Sequence, residues 1–166
     1  MSDNKSTGWK VPLLFCLGIG AVTALGILLR PPQELPELRV PPSLMQAMRA
    51  RKIDLAASEE GRRWQGEITA AAGGFADATE KDARILRVLD AALEAGRFDA
   101  ACTASVLLHD AGRRDAALVH IAEAGAGQCP GLVWAGMAAA GLRSPELRRH
   151  WEERLTRRWA ECGGER

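Results

Sequence analysis

Few residues of the chain have the type and spacing that catalysis or metal binding requires. His109, His120 and His150 are separated by 11 and 30 residues, so no two of them share one helix face at i, i+4 as metal-binding histidines do. Ser105 precedes His109 by one helical turn, but no third catalytic group or oxyanion loop accompanies this pair. The glycine motifs of nucleotide-binding and hydrolase sites do not occur. We therefore expect no enzyme, no cofactor, no metal site and no small-molecule substrate.

The cysteines bear on the compartment in which the protein works. No CxxC motif occurs, so zinc ribbons, thioredoxin-like sites and c-type haem attachment have no support. A helical hairpin centred near Gly112 brings Cys102 towards the glycine-rich turn before Cys129, which predicts a disulfide between these two cysteines. The alternative is a pair of reduced, buried thiols. A disulfide would place the domain in an oxidising compartment.

The overall charge is close to neutral. The chain has 22 Lys+Arg against 21 Asp+Glu, for a formal net charge of +1. A general nucleic-acid binder needs surplus cations to displace counterions from the phosphates, so we expect no nucleic-acid partner. The apolar fraction of 47% is typical of a folded, globular chain.

An apolar segment follows a short tail of residues 1–10. Residues 11–29 contain no charge over 19 positions. A helix of that length spans roughly 28 Å, close to the hydrocarbon thickness of a bilayer. Trp9 occupies an interfacial position, Pro12 falls in the first helical turn, and Arg30 ends the segment. These features predict a single transmembrane helix whose immediate partner is the lipid bilayer.

The apolar segment is either an uncleaved anchor or a signal peptide, and we predict the anchor. The apolar run continues past the cleavage-like position at Ala24 to Leu29, beyond the roughly 7–15 apolar residues of a signal peptide. Gly20 and Ala24 form a small-xxx-small pair that allows a second membrane helix to approach closely. A short tail stays inside more easily than a folded domain. We therefore expect a cytoplasmic N-terminus and a periplasmic or other extracytoplasmic C-terminal domain.

The rest of the chain is predicted to be all-α behind a linker. Residues 30–43 hold five prolines within twelve positions, which predicts a stiff, extended linker. Residues 44–162 are rich in alanine and show helical spacing of apolar residues, and residues 163–166 form a tail. Within this domain, Thr79 with Asp82 resembles a capping box at a helix start. The expected architecture is one transmembrane helix, a proline-rich linker and a small bundle of helical hairpins.

A seven-residue motif occurs twice, 16 residues apart, as AGRFDAA over 95–101 and AGRRDAA over 111–117. In each copy a glycine is predicted to end one helix, an aspartate to lie near the next N-terminus, and alanines to begin the next helix. These residues are Gly96, Asp99 and Ala101 in the first copy and Gly112, Asp115 and Ala117 in the second. The motif therefore predicts antiparallel hairpins with closely packed helices.

Residues 80–130 resemble a tetratricopeptide repeat, whose period is about 34 residues. Ala117, Ile121 and Ala124 follow the spacing of four and three positions found in the second helix of that family, although Pro130 comes one residue late and Ala101 takes the tryptophan position. The resemblance implies a surface of helical hairpins that binds a peptide or a partner protein and performs no catalysis.

The last predicted helix has a clear start signal, with Ser144 as its cap and Pro145 in its first turn. Large apolar residues then recur every four positions, at Leu147, Trp151, Leu155 and Trp159. Such a stripe either seals the bundle or docks a partner protein.

These features predict a membrane-anchored, non-catalytic interaction scaffold or assembly factor. Its expected partners are the bilayer and another protein of a membrane or envelope complex. The alternative is a permanent small structural subunit of a larger membrane complex, with the Gly20/Ala24 face and the last helix buried against neighbouring subunits.

Overall fold

The computed structural model describes residues 38–74 and 77–164, which form helices and contain no strand. Seven α-helices follow one another in this part of the chain: α1 (Pro42–Ala50), α2 (Glu59–Ala72), α3 (Ala78–Glu94), α4 (Phe98–Val106), α5 (Ala111–Ala126), α6 (Leu132–Ala140) and α7 (Pro145–Glu161). Single turns of 3-10 helix cover Leu55–Ala57 and Cys129–Gly131. The predicted all-α class is therefore confirmed for these residues.

The predicted membrane anchor lies outside the described residues. This applies to residues 11–29 and to Trp9, Pro12, Gly20, Ala24 and Arg30. None of the helices described over 38–74 and 77–164 is long and apolar enough to cross a bilayer. At the other end of the predicted linker, α1 begins at Pro42, two residues before the expected domain start. Proline is tolerated there because the first turn of a helix has no partner for its N–H group.

Polar side chains begin several of the helices. The Ser58 hydroxyl accepts the Gly61 N–H at 2.9 Å at the start of α2, and the Ser144 hydroxyl accepts the Leu147 N–H at 3.2 Å at the start of α7. The predicted start of the last helix is thus confirmed. The helix α3 differs from the prediction, because its cap is Asp77 and not Thr79. Asp77 begins the helix two residues earlier, which leaves Asp82 free for a contact described below.

The helices pack mainly against their neighbours in the chain, from α2 with α3 through to α6 with α7, and α1 returns to pack against α6. The core draws large apolar residues from all seven helices; those with no solvent exposure include Leu44, Ile85, Leu89, Ile121, Leu132 and Leu155. Small residues let the helix axes approach closely. A Cβ added to Gly136 would lie 2.6 Å from the Met48 Sδ atom, so a side chain there would require the flexible end of Met48 to move where α1 packs against α6.

The two copies of the seven-residue motif adopt different local structures. Gly96 follows the end of α3 with a φ of +70°, as predicted for a helix-ending glycine. Gly112 does not end a helix, because α4 already ends at Val106 and Gly112 lies in the first turn of α5. Asp110 caps α5 by accepting the Arg113 N–H at 2.7 Å. The capping signal therefore precedes the motif in the second copy and shifts the helix start.

The disulfide joins Cys129 to Cys162, and the predicted pairing of Cys129 with Cys102 is wrong. The two Sγ atoms are 1.96 Å apart and the Cα atoms 5.7 Å apart. Cys102 is a free, buried thiol inside α4. The end of α7 lies beside the turn between α5 and α6, where the Arg158 Nε–H donates to the Ala126 carbonyl at 3.2 Å. This docking of α7, which lies outside the predicted hairpin, brings Cys162 to Cys129.

Candidate functional site

An open groove of about 270 Å³ lies between α4, α5 and α6, and we call it the α4–α6 groove. Its lining includes Ile53, Cys102, Val106, Arg114, Leu118 and Met137. Val106 is 70% exposed and Ile53 is 41% exposed, so both apolar side chains lie at the rim in contact with water. Large apolar groups exposed beside a concave surface are typical of binding sites.

The ends of helices and the small residues of α6 shape the groove. Val106 is the last residue of α4, so its side chain stands at the edge of the bundle instead of inside it. Two small residues from α6 and the position after it, Ala138 and Gly141, also line the groove. A Cβ added to Gly141 would lie 3.1 Å from the Leu118 Cδ1 atom, so a side chain there would press on the end of the Leu118 side chain.

Arg114 supplies the charge of the groove. It is half-buried, and one of its terminal amino groups donates to the Leu108 carbonyl. Its Nε–H is buried and has no hydrogen-bond acceptor among the described residues. A buried donor without an acceptor costs about 1–3 kcal/mol, so turning the Arg114 side chain to present this N–H group to a ligand's acceptor is favourable.

The possible nucleophiles of the groove are held in inactive states. Burial raises the pKa of the Cys102 thiol to about 12, and the Asp99 carboxylate acts in the same direction. The thiol is therefore neutral near pH 7, and a neutral thiol is a poor nucleophile. The buried Ser105 hydroxyl donates to the Cys102 carbonyl at 2.8 Å. The groove thus presents an apolar surface with one cation.

His109, which the sequence places one turn after Ser105, pairs with Asp82 instead. The Asp82 carboxylate is only 1% exposed and accepts the backbone N–H groups of His109 at 2.8 Å and of Asp110 at 2.9 Å. The Nδ1 atom of His109 lies 3.1 Å from Asp82 Oδ1. Burial by itself raises the pKa of Asp82, but the two backbone donors and the His109 side chain outweigh it and hold the pKa below its ordinary value. This carboxylate fastens α3 to the loop between α4 and α5.

The alanines and aspartates of the repeated motif stabilise the fold. Ala101, Ala117 and Ile121 are buried in the core, and Ala124 is half-buried against it. The first-copy aspartate, Asp99, forms two hydrogen bonds with the Arg97 guanidinium at 3.0 and 2.8 Å.

The second-copy aspartate, Asp115, lies within α5 and not at a helix start. Its carboxylate accepts from the Arg143 side chain at 3.3 Å. It therefore links α5 to the loop before α7 and does not serve as a cap.

The stripe on the last helix packs inward. Trp151 is 2% exposed and Leu155 is fully buried, while Trp159 is partly buried against the core. Leu147 differs, because it is 38% exposed in the first turn of α7. The predicted use of this stripe as a partner face does not fit these positions, since α7 covers α6 with it. The stripe seals the bundle, which was the other expectation.

Sequence reasoning missed the α4–α6 groove and the buried Asp82. The lining comes from three helices and a loop, so no local pattern marks it. The one local sequence signal was the adjacent pair of large apolar residues Val106 and Leu107. In the structure these residues are 70% and 40% exposed at the end of α4. Groups of histidine, cysteine and acidic residues able to hold a metal ion do not occur over 38–74 and 77–164.

Comparison of the chain with family models, curated proteins and solved structures found no match.

Proposed function

We propose that the protein is a non-catalytic interaction scaffold or assembly factor, held to a membrane by residues 11–29, with its helical domain on the extracytoplasmic side. The observation that carries the proposal is the α4–α6 groove, where the Val106 side chain is 70% exposed at the rim of an apolar depression. When a partner covers an apolar side chain that is in contact with water, the free energy of the complex falls by about 25 cal/mol per Å² of apolar surface buried.

The hydrogen bonds of the polar groups near the groove support binding over catalysis. The Ser105 hydroxyl donates to a backbone carbonyl, and the Cys102 thiol has a pKa of about 12. His109 lies beside Asp82, in a separate surface depression on α3 and α5. No nucleophile in the groove therefore has an adjacent base, which nucleophilic catalysis requires.

The Cys129–Cys162 disulfide supports the extracytoplasmic placement. Disulfides persist in oxidising compartments and are rare where thiol reductants are abundant. The anchor itself is proposed from the uncharged run of residues 11–29. Washing membranes with alkaline carbonate tests the anchor, and we expect the full-length chain to stay in the membrane pellet. Release of the chain by this wash would contradict the anchor and leave the groove unaffected.

The scaffold proposal is tested by native gel electrophoresis of membranes solubilised in a mild detergent. Val106→Ser removes an exposed apolar side chain from the rim of the groove, and Leu147→Ser is the matched control because Leu147 is 38% exposed but lies on α7. We expect the wild-type chain in two bands, one free and one in a larger complex. Val106→Ser should move the chain to the free band, whereas Leu147→Ser should leave the distribution unchanged.

Three other outcomes contradict this proposal. A single free band for the wild-type chain contradicts a scaffold. Equal behaviour of the two variants contradicts the α4–α6 groove as the docking surface. A wild-type chain that migrates in the larger complex alone, with no free fraction, favours a permanent structural subunit.

A further inference from the structure

We propose that the α4–α6 groove binds an amphipathic helix of a partner protein that inserts a large apolar side chain and pairs a carboxylate, within one turn of it, with Arg114. This inference rests on the proposed function and adds the chemistry of the partner. The carboxylate is the feature that distinguishes it from simple apolar docking.

The size and lining of the groove fit the side chains of a protein segment. Its volume of about 270 Å³ lies at the lower edge of the roughly 300–1,000 Å³ range of small-molecule sites. Leu118 and Met137 form apolar walls, and Ile53 and Val106 stand at the rim. Such a rim excludes water around a central anchor, as at the energetic centre of many protein interfaces.

The groove carries one positive charge without a negative charge beside it, which favours an acidic side chain on the partner. Arg114 is the one charged side chain among the lining residues, and no carboxylate lines the groove with it. Its amino group donates to the Leu108 carbonyl, while its Nε–H is buried without an acceptor among the described residues, so the guanidinium turns to pair with a partner's carboxylate. A guanidinium matches a carboxylate through parallel N–H donors, and charge-assisted hydrogen bonds are about twice as strong as neutral ones.

The secondary structure expected of the partner segment follows from the kinds of binding surface that the domain has. A partner strand needs a free sheet edge, and the residues described over 38–74 and 77–164 contain no strand. A proline-rich segment docks on aromatic side chains, and no aromatic residue lines the groove. The remaining common mode is an amphipathic helix that lays its apolar face between other helices.

The test uses a library of random 14-residue peptides displayed on phage, because isolated helices shorter than about 12–15 residues are marginal in water. The immobilised target is the full-length chain. We expect the enriched peptides to combine a large apolar residue with Asp or Glu three or four positions away. Changing that acidic residue to Gln in one synthetic peptide should weaken its binding by about tenfold.

Variants of two adjacent arginines, Arg113 and Arg114, test which of them pairs with the carboxylate of the peptide. Arg114→Gln should bind the Glu and Gln forms of the peptide equally, and Arg114→Lys should restore part of the preference. Arg113→Gln is the control, because Arg113 donates to the Thr79 carbonyl at 3.2 Å and lies outside the groove. It should keep the full preference of the wild-type chain.

The remaining outcomes overturn this inference in distinguishable ways. Enriched peptides without an acidic residue, or a Glu preference that survives Arg114→Gln, contradict the carboxylate pairing and leave the scaffold proposal standing. Displacement of the peptide by laurate, together with direct laurate binding that Arg114→Gln abolishes, assigns the groove to a lipid. Failure of any peptide to be enriched contradicts the helix-binding groove, while the native gels report separately on a scaffold.

Discussion

Asp82 is a charged residue held in the interior by hydrogen bonds. Its carboxylate is 1% exposed, and two backbone N–H groups 27 and 28 residues further along the chain donate to it. A buried carboxylate is stable only with such donors around it. The sequence placed Asp82 in a capping box with Thr79, because a local pattern cannot show donors that arrive from a distant loop.

We predict that Asp82→Asn lowers the free energy of unfolding by about 2–3 kcal/mol, because an amide is a weaker acceptor and turns an NH₂ group towards backbone donors. Asp90→Asn is the control, since Asp90 also faces a histidine, His120 at 3.5 Å, but is 57% exposed. Its effect should stay within about 0.5 kcal/mol. Guanidinium denaturation measures both, and equal effects of the two variants would argue against a structural role for Asp82.

The stabilisation by Asp82 should depend on pH in one direction. The pKa of Asp82 in the folded state lies below its ordinary value of 3.8, which applies to the unfolded chain. The contribution is therefore complete above pH 3.8 and is lost as the pH falls through the folded pKa. Denaturation curves of the wild-type chain and Asp82→Asn should converge below this pH. A difference that stays constant down to pH 2 (about two units lower) would contradict this sign.

At the scale of helices, the contact between α5 and α6 depends on glycine. A Cβ added to Gly125 would lie 2.8 Å from the Gly131 carbonyl oxygen and 3.1 Å from the Ala135 nitrogen. Backbone atoms at these distances have no room to move aside. The alanines of the repeated motif predicted close helix packing, but Gly125 was expected in the turn before Cys129 and instead lies inside α5. The exact contact depends on where the turn between the helices begins, which sequence patterns do not specify.

Gly125→Ala should therefore destabilise the domain by about 1–3 kcal/mol, the usual cost of overpacking. The control is Gly66→Ala in the exposed middle of α2, where an added Cβ meets nothing within 4 Å. Gly66→Ala should stabilise the domain by about 0.5–1 kcal/mol, because alanine is the better helix former. Thermal melts followed by circular dichroism measure both changes. Two shifts of the same sign would show that backbone contact does not decide the outcome.

At the scale of the whole domain, the last helix joins parts that are far apart in sequence. The Trp159 Nε1–H donates to the Ser43 hydroxyl at 2.9 Å, which ties the end of α7 to the start of α1. The sequence predicted the all-α class and the start of α7, because periodicity and caps are local. It did not predict the cysteine pairing or the groove, because both depend on how α7, α6 and α4 meet in space.

The disulfide pairing has a direct chemical test. Trypsin digestion without reductant should release residues 115–143 covalently joined to residues 159–166, because these peptides contain Cys129 and Cys162. A peptide of residues 98–113 joined to 115–143 would instead restore the pairing predicted from the sequence. Reduction should lower the free energy of unfolding by about 3–4 kcal/mol, as expected for a closed loop of roughly 33 residues. Cys102→Ala in the oxidised chain should leave the cross-linked peptide in place.

We propose that a partner protein covers the α4–α6 groove in the cell. Site-specific photo-crosslinking tests this directly, with a benzophenone side chain in place of Val106 or, as the control, in place of Leu147, which is 38% exposed on α7. We expect a discrete crosslinked product from position 106, weakened when Arg114→Gln is added, and none from position 147. Equal crosslinking from the two positions, or none from position 106, would contradict it.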